Sequence, residues 1–194
     1  MDCTHIPEIS CFYSDTIASH ILNPSAHFEY EMILVTDGSA QVQIHDRTYP
    51  LQRGSLLFIS RLEQHQFCIV KEPYCRYVLS VSSDLLLSHL NEPRLASIFM
   101  QRPEYFSYVV QLNEEQLAYF LPFFQKSADE YEKQSDFYTL QSIALLLSVL
   151  ISLYRLYPNA FPMEDSSSLS AAVLNAQIYV SRHFNRKLTL QEIA

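Results

Sequence analysis

The chain has 194 residues, 48% of them hydrophobic, and carries a formal net charge of −8. This length and composition exclude a disordered tail or a fibrous repeat, and the charge argues against non-specific binding of the whole chain to nucleic acid or membrane surfaces. It contains two glycines, Gly38 and Gly54, where average usage predicts roughly fourteen, and this excludes glycine-rich phosphate-binding loops.

Up to about residue 80 the pattern predicts short β-strands. Residues 29–36 and 39–45 are rich in β-branched and aromatic side chains, and the Asp37-Gly38 pair between them predicts a hairpin turn. Further strands are predicted over Thr48–Leu51, Ser55–Ile59, Gln66–Val70 and Arg76–Val81, the last two being separated by Lys71-Glu72-Pro73. Short strands at this spacing indicate a closed or two-sheet antiparallel β domain.

From about residue 83 the hydrophobic period becomes helical. Asn113 and Gln116 resemble a capping box and predict a helix that begins there and continues to about Lys133. Because a proline ring clashes with the preceding turn of a helix, Pro122 is predicted to kink or split this helix.

A second long helix is predicted from Asp136 to about Tyr157, and it is apolar nearly all round. Its most apolar stretch, Ile143–Leu153, is predicted to be too short to cross a bilayer, so no membrane is expected as a partner. One face would pack on the β domain and the other would form a homodimer. The predicted dimerisation residues are Leu140, Ile143, Leu147, Leu150 and Tyr154. Alternatively, the preceding helix, with Phe120 and Phe124, covers the second face within one chain.

Residues 158–170, with two prolines, two acids and four serines, are predicted to be a linker. The net charge changes sign near residue 165, from −10 before it (ten basic, twenty acidic) to +2 after it (three basic, one acidic). Beyond the linker, four apolar residues share one predicted helix face: Val173, Ala176, Val180 and Phe184. Thr189 and Glu192 predict a capping box for a last helix, which the chain cuts off after barely one turn, so the natural protein is expected to continue.

A group of ionisable residues lies near the start of the first predicted strand. By the strand period of two, His27, Glu29 and Glu31 would point to one face. Burying them is costly unless they meet a ligand, a metal or each other. The alternation leaves a second reading open, in which this face is exposed to solvent while Tyr30, Met32 and Leu34 pack inward.

Two stretches resemble the cupin motifs. His27–Glu31 followed by Gly38 resembles the first motif, and the run from Gly54 to His65, eleven positions later, resembles the second. The two glycines stand at the two motif turns. The resemblance implies a cupin-type barrel over about residues 8–82 with the His27/Glu31 face inward.

The chain departs from the cupin pattern at Ser25, which stands where the family has its first histidine. Ser60 and Leu62 likewise replace the usual proline and glycine. His27, Glu31 and His65 remain as a possible three-ligand metal set, but with one ligand missing no metal or other cofactor is predicted.

The predicted ligand-binding residues are His27, Glu29, Glu31 and His65. They indicate a polar, hydroxylated or cationic small molecule. If the opposite strand face lined the pocket, the effector would instead be apolar, such as a fatty acid.

The end of the chain resembles the opening of the AraC-family DNA-binding domain. The resemblance rests on residues 179–184, a short basic turn at 185–187, and the segment Leu188-Thr189-Leu190-Gln191-Glu192-Ile193-Ala194. It implies an α+β chain: a cupin-type, jelly-roll-like antiparallel β-barrel, then an α-helical dimerisation segment and a truncated helix-turn-helix domain. The implied divisions are 1–82 for the effector-binding barrel, 83–157 for the helical segment, 158–170 for the linker and 171–194 for the DNA-binding part.

The function implied by this resemblance is a ligand-responsive transcription regulator with no catalytic residues. It would bind a small-molecule effector, dimerise, and reach operator DNA through the missing C-terminal part, with Arg186 and Lys187 as possible phosphate contacts. The four cysteines have no zinc spacing and no signal peptide is recognisable, so a cytoplasmic location is expected. The alternative is a metal-dependent cupin enzyme, such as a dioxygenase or isomerase, with His27, Glu31 and His65 as ligands.

Overall fold

The computed structural model of the chain describes residues 8–16, 21–90, 92–162, 176, 179–180 and 186–193. Its strands are β1 (Ile9–Thr16), β2 (Tyr30–Ile44), β3 (Arg47–Gln52), β4 (Ser55–Ile59), β5 (His65–Val81) and β6 (Val109–Gln111). Its helices are α1 (Ser83–His89), α2 (Pro93–Met100), α3 (Glu114–Lys133), α4 (Tyr138–Leu156) and α5 (Leu190–Ile193), with a 3-10 turn over Pro158–Ala160. An antiparallel β domain followed by helices confirms the predicted α+β class.

The sheet is built around the two long strands β2 and β5, which pair from Tyr30↔Val81 at one end to Ile44↔His65 at the other. The strand order is β1-β5-β2-β4-β6, and β3 pairs with the second half of β2. Glu31 lies near one end of this ladder and His65 at the other, which in a straight ladder would be about 40 Å apart. Their side-chain ligand atoms lie within 4.8 Å of each other, so the ladder curls back on itself as in a barrel.

The hairpin predicted at Asp37-Gly38 is wrong, because β2 runs through it as one strand. Gly38 has φ +71, and a Cβ there would collide with the carbonyl oxygen of Pro73 and lie 2.6 Å from that of Lys71. The register between β2 and β5 shifts at this point. The two strands predicted over 66–70 and 76–81 are likewise one strand, β5. The glycine and proline signals therefore mark the place where two paired strands bend together, not a reversal of the chain.

Helix α3 begins and ends as its local signals predict. The Asn113 side chain accepts a hydrogen bond from the Gln116 backbone N–H, and the Gln116 side chain accepts one from the Asn113 N–H, both at 2.9 Å. This confirms the capping box and the end at Lys133. The helix is continuous through Pro122, so of the two predicted outcomes the split is wrong.

Helix α4 packs against α3, and this corrects part of the predicted dimer surface. Ile143 and Leu150 are buried within the chain, where Phe120 and Phe124 of α3 are also fully buried. Assigning Ile143 and Leu150 to a dimer interface is therefore wrong, because the core of one chain already encloses them. The remaining predicted dimer residues are accessible: Leu140 is exposed, and Leu147 and Tyr154 are partly buried.

The apolar run in α4 was expected to be too short to span a membrane, but the helix that contains it is longer than the run. Among the described residues, Tyr138–Leu156 is the one helix long and apolar enough to cross a bilayer by length and composition. Seven of its residues are buried in the structure, including Leu146, Val149 and Leu153. A helix in a protein core has the same composition, and this burial accounts for one side of α4, while Leu140, Ile151 and Leu156 are exposed.

The last described segment carries the predicted cap of α5. The Thr189 backbone N–H donates to Glu192 Oε2 at 2.9 Å, as one half of a capping box requires. Arg186 Nη1 forms an ion pair with Glu192 Oε1 at 2.8 Å. The helix face predicted from Val173 to Phe184 lies largely outside the described residues.

Candidate functional site

The structure brings together three of the four predicted ligand-binding residues, His27, Glu31 and His65. Their nearest ligand atoms all lie within 4.8 Å of one another. Glu31 is the second residue of β2 and His65 the first of β5. His27 precedes the strand, which begins only at Tyr30, so the predicted extended arrangement from His27 to Glu31 is wrong. A bend at residues 28–29 returns the His27 ring to the Glu31 carboxylate.

Backbone carbonyls fix both imidazole rings in the same way. His27 Nδ1 lies 3.0 Å from the Glu29 carbonyl oxygen, and His65 Nδ1 lies 2.9 Å from that of Glu63. Because a carbonyl oxygen only accepts, each Nδ1 carries the proton of the neutral ring, and each Nε2 then presents a lone pair. The two rings meet edge to face with centroids 5.2 Å apart.

The Glu31 carboxylate lies between strand β5 and the His27 ring. Its Oε1 accepts a hydrogen bond from the Ser80 hydroxyl at 3.0 Å, and Ser80 is its partner across the β2–β5 ladder. Its Oε2 lies 3.1 Å from His27 Nε2, but the two atoms are not aligned for a hydrogen bond. His27 Nε2 is therefore buried without a hydrogen-bond partner among the described residues, which is costly unless a proton, a cation or a ligand reaches it.

The site shifts the pKa values of its three groups in different directions. Burial acts to lower the pKa of His27, but the neighbouring Glu31 and Glu29 outweigh it and the pKa is raised. Burial acts to raise the pKa of Glu31, but His27, Ser80 and His65 outweigh it and the pKa is lowered. For His65 burial dominates, and its pKa is lowered. Compared with free side chains, the cluster therefore favours the charged form of Glu31, the protonated form of His27 and the neutral form of His65.

These shifts predict a pH-dependent contribution of Glu31 to stability. The raised pKa of His27 adds stability below its ordinary value of 6.5, and this is lost as the pH rises through the folded-state pKa. The lowered pKa of Glu31 adds stability above its ordinary value of 4.5, and this is lost as the pH falls. In urea denaturation, Glu31→Gln should therefore lower the free energy of unfolding most between pH 4.5 and pH 6.5, and less at alkaline pH. A difference that does not vary with pH would contradict the pairing.

The opposite face of β2 does not line the site. The Tyr30 ring packs against Phe99 of α2 with centroids 5.6 Å apart, and Met32 and Leu34 on the same face are fully buried. Phe99 therefore covers Tyr30 on this face, while Glu31, on the other face, takes part in the cluster.

Glu29, the fourth predicted residue, lies beside the cluster. Its carboxylate is 3.8 Å from His27 Nδ1, on the side of the ring away from Nε2. The sequence interpretation missed Ser80, Glu63 and Phe67, whose ring meets His65 edge-on at 5.7 Å. Ser80 lies outside both motif stretches and Glu63 is not one of the motif's matched positions, so only the strand register and the turn before β5 bring them to the site.

Comparisons with known proteins agree with this architecture. The sequence profile of the AraC-like ligand-binding domain matches residues 7–150. A search of curated proteins finds no match. Among solved structures, an apo ToxT variant from Vibrio cholerae aligns with a TM-score of 0.54 at 12% identity, covering 97% of this chain and 69% of that one. The cupin domain of Schizosaccharomyces pombe Cnp3 aligns with a TM-score of 0.38 at 11% identity, covering 42% of this chain and 61% of that one. At 12% identity the likeness to ToxT shows the fold alone.

Proposed function

The chain belongs to the family of AraC-like ligand-binding domains, and we propose that it is the sensing part of a ligand-responsive transcription regulator. In this proposal a small-molecule effector binds in the barrel at His27, Glu31 and His65, with Glu29 at the edge of the site. The protein acts in the cytoplasm and catalyses no reaction on the effector.

The observation that supports a binding site here is the convergence of the His27, Glu31 and His65 ligand atoms within 4.8 Å of one another. With its Nδ1 proton on a carbonyl oxygen, neutral His65 offers an Nε2 lone pair near the Glu31 carboxylate, and both groups are acceptors. A ligand that satisfies these two converging acceptors must donate hydrogen bonds. This favours a hydroxylated or cationic effector over an apolar one.

Regulation would follow from linkage between effector binding and the arrangement of two chains. An effector that binds one arrangement more tightly shifts the population toward it. In the proposed homodimer the contact surface includes Leu140, Leu147 and Tyr154, and operator DNA is bound through residues beyond those described, with Arg186 and Lys187 near the phosphates. A two-fold contact through α4 would place two DNA-binding parts at a fixed separation.

The proposal predicts that Glu31→Gln and His65→Ala each weaken effector binding strongly and leave the fold intact. Losing a hydrogen bond to a charged group costs about 1.5–3 kcal/mol, which corresponds to an affinity about ten- to a hundredfold weaker. A thermal-shift screen of hydroxylated and cationic metabolites identifies a ligand of the unmutated chain, and titration calorimetry then compares the variants. Glu115→Gln, an exposed carboxylate on α3, is the control and should bind like the unmutated chain. Unchanged affinity in both site variants would place the effector elsewhere.

A second candidate function is favoured by the donor set itself. Two imidazole Nε2 atoms and one carboxylate suit divalent iron, manganese or zinc with open positions, and metal-binding histidines commonly donate their other N–H to a backbone carbonyl. His27, Glu31 and His65 would hold the ion, and a metal-dependent cupin enzyme would use it to polarise a bound oxygen-containing substrate.

Metal content separates the two candidates. For a regulator we expect the purified protein to contain much less than one equivalent of metal, and the metal content of His65→Ala to be unchanged. The measurement is elemental analysis of protein expressed in metal-supplemented medium. One equivalent of iron, manganese or zinc that is lost in His65→Ala would favour the enzyme.

A further inference from the structure

The turn over residues 60–63, between β4 and β5, holds both histidines of the candidate site. The Leu62 backbone N–H donates to the His27 carbonyl oxygen at 2.7 Å. One residue later, the Glu63 carbonyl oxygen accepts the proton on His65 Nδ1 at 2.9 Å. This one turn therefore holds the His27 backbone and the His65 ring.

The turn needs support from outside, because its backbone is strained at Leu62. This residue has φ +56, in the left-handed region that favours glycine, and its side chain is 58% exposed and contributes little packing. A strained residue persists only where its surroundings hold it in place. The support comes from the neighbouring residue, Glu63.

The Glu63 carboxylate is 5% exposed and binds groups on both oxygens. Its Oε1 accepts from the Tyr108 hydroxyl at 2.7 Å, and its Oε2 from the Ser60 backbone N–H at 2.8 Å. Arg102 lies across both oxygens, with Nε 3.2 Å from Oε1 and Nη2 3.4 Å from Oε2. His45 Nε2, on an exposed ring, is 3.8 Å from Oε1. A buried carboxylate paired in this way is held firmly in one position.

Arg102 connects this carboxylate to the helical part of the chain. Its Nη1 donates to the carbonyl oxygens of Ile98 and Gln101, at the C-terminal end of α2, at 3.0 and 2.9 Å. Its guanidinium lies over the Phe106 ring, 4.3 Å from the centroid. The same guanidinium therefore binds both the end of α2 and the turn that holds the two histidines.

We propose that Glu63 is a positioning residue, which through Arg102 and Tyr108 fixes the 60–63 turn and with it the His27 and His65 rings. It thereby couples the candidate site to α2, so that a change on either side is transmitted to the other. The effect on effector binding rests on the proposed function, whereas the effect on the rings does not.

The test reads the His65 ring directly, without an effector. At about pH 8, where histidines are neutral, the imidazole ¹⁵N signals of the unmutated chain should show His65 as one tautomer, with Nδ1 protonated. Arg102→Lys keeps the charge but loses the two-pronged contact with Glu63. We expect His65 in this variant to become a mixture of tautomers, with its two nitrogen signals moving toward each other. Arg53→Lys, in an exposed ion pair with Glu114, is the matched control and should leave the signals unchanged.

Tyr108→Phe is the second variant, since it removes one hydrogen bond to Glu63 and keeps the ring. A tautomer change in either folded variant supports the proposal. A lower melting temperature with an unchanged His65 tautomer in the folded variants would show a merely structural role and overturn it. The proposed function can fail independently of this proposal. An effector that binds His65→Ala with unchanged affinity would contradict the proposed function and would leave the tautomer result unaffected.

Discussion

Replacing Leu150 by glutamate should prevent the chain from folding, whereas the same change at Leu140 of the same helix should be tolerated. Leu150 is 0% exposed and Leu140 is 57% exposed. Removing a buried leucine side chain costs about 2–5 kcal/mol, and burying an unpaired carboxylate adds several more. The sum is comparable to the whole stability of a typical domain, about 5–15 kcal/mol.

Circular dichroism and urea denaturation measure this contrast. Leu150→Glu should show no cooperative transition or aggregate on expression, while Leu140→Glu should unfold cooperatively like the unmutated chain. A folded Leu150→Glu variant would mean that α4 does not pack as the structure has it. Light scattering on Leu140→Glu also tests the proposed homodimer, because a charge within the proposed contact surface should give a folded monomer.

Gly38→Ala should destabilise the chain by about 2–5 kcal/mol. An L-residue in the left-handed conformation costs about 1–2 kcal/mol, and overpacking adds about 1–3 kcal/mol. The added Cβ meets the backbone oxygens of Lys71 and Pro73, which cannot rotate away as a side chain would. Relief requires β2 and β5 to separate where both strands bend.

Ser39→Ala provides the control, since it changes the adjacent residue without introducing a Cβ. In chemical denaturation, the free energy of unfolding of Ser39→Ala should be close to that of the unmutated chain. That of Gly38→Ala should be well below both. Equal stability of the two variants would contradict the close approach of β5 to Gly38. Because the bend also brings the two ends of the ladder together, a folded Gly38→Ala variant should bind the effector more weakly.

Local signals in the sequence predicted the two long helices, α3 and α4, well. The capping box at Asn113 and Gln116 lies within one turn of chain, and nothing distant competes with it. The Asp37-Gly38 pair is also a local signal, yet the hairpin prediction from it is wrong. A residue with a positive φ can lie in a β-bulge as well as in a turn. Here the irregularity depends on pairing with β5, a strand about thirty-five residues away in the sequence.

The site shows the same division between local and distant information. The motif resemblance identified His27, Glu31 and His65, which the structure brings together. It could not identify Ser80 or Glu63, because their roles depend on strand register and on the packing of Arg102 from the helical segment. The dimer prediction misassigned Leu150 for a related reason, since an apolar helix looks the same whether its own chain or a second copy covers it.

The curled ladder of β2 and β5 has a consequence for the order in which the chain folds. Contacts such as Glu31 to Ser80 and Cys11 to Phe124 join residues 49 and 113 positions apart, and contacts between such distant residues form slowly. Helix α3, whose capping box and backbone hydrogen bonds are local, can form long before the ladder closes. The cluster of His27, Glu31 and His65 then exists only in the completed fold, so an effector that binds there, as proposed, would stabilise that state alone. At a hundredfold excess over its dissociation constant this would amount to about 2.7 kcal/mol, enough to change how much of the newly made chain survives proteolysis.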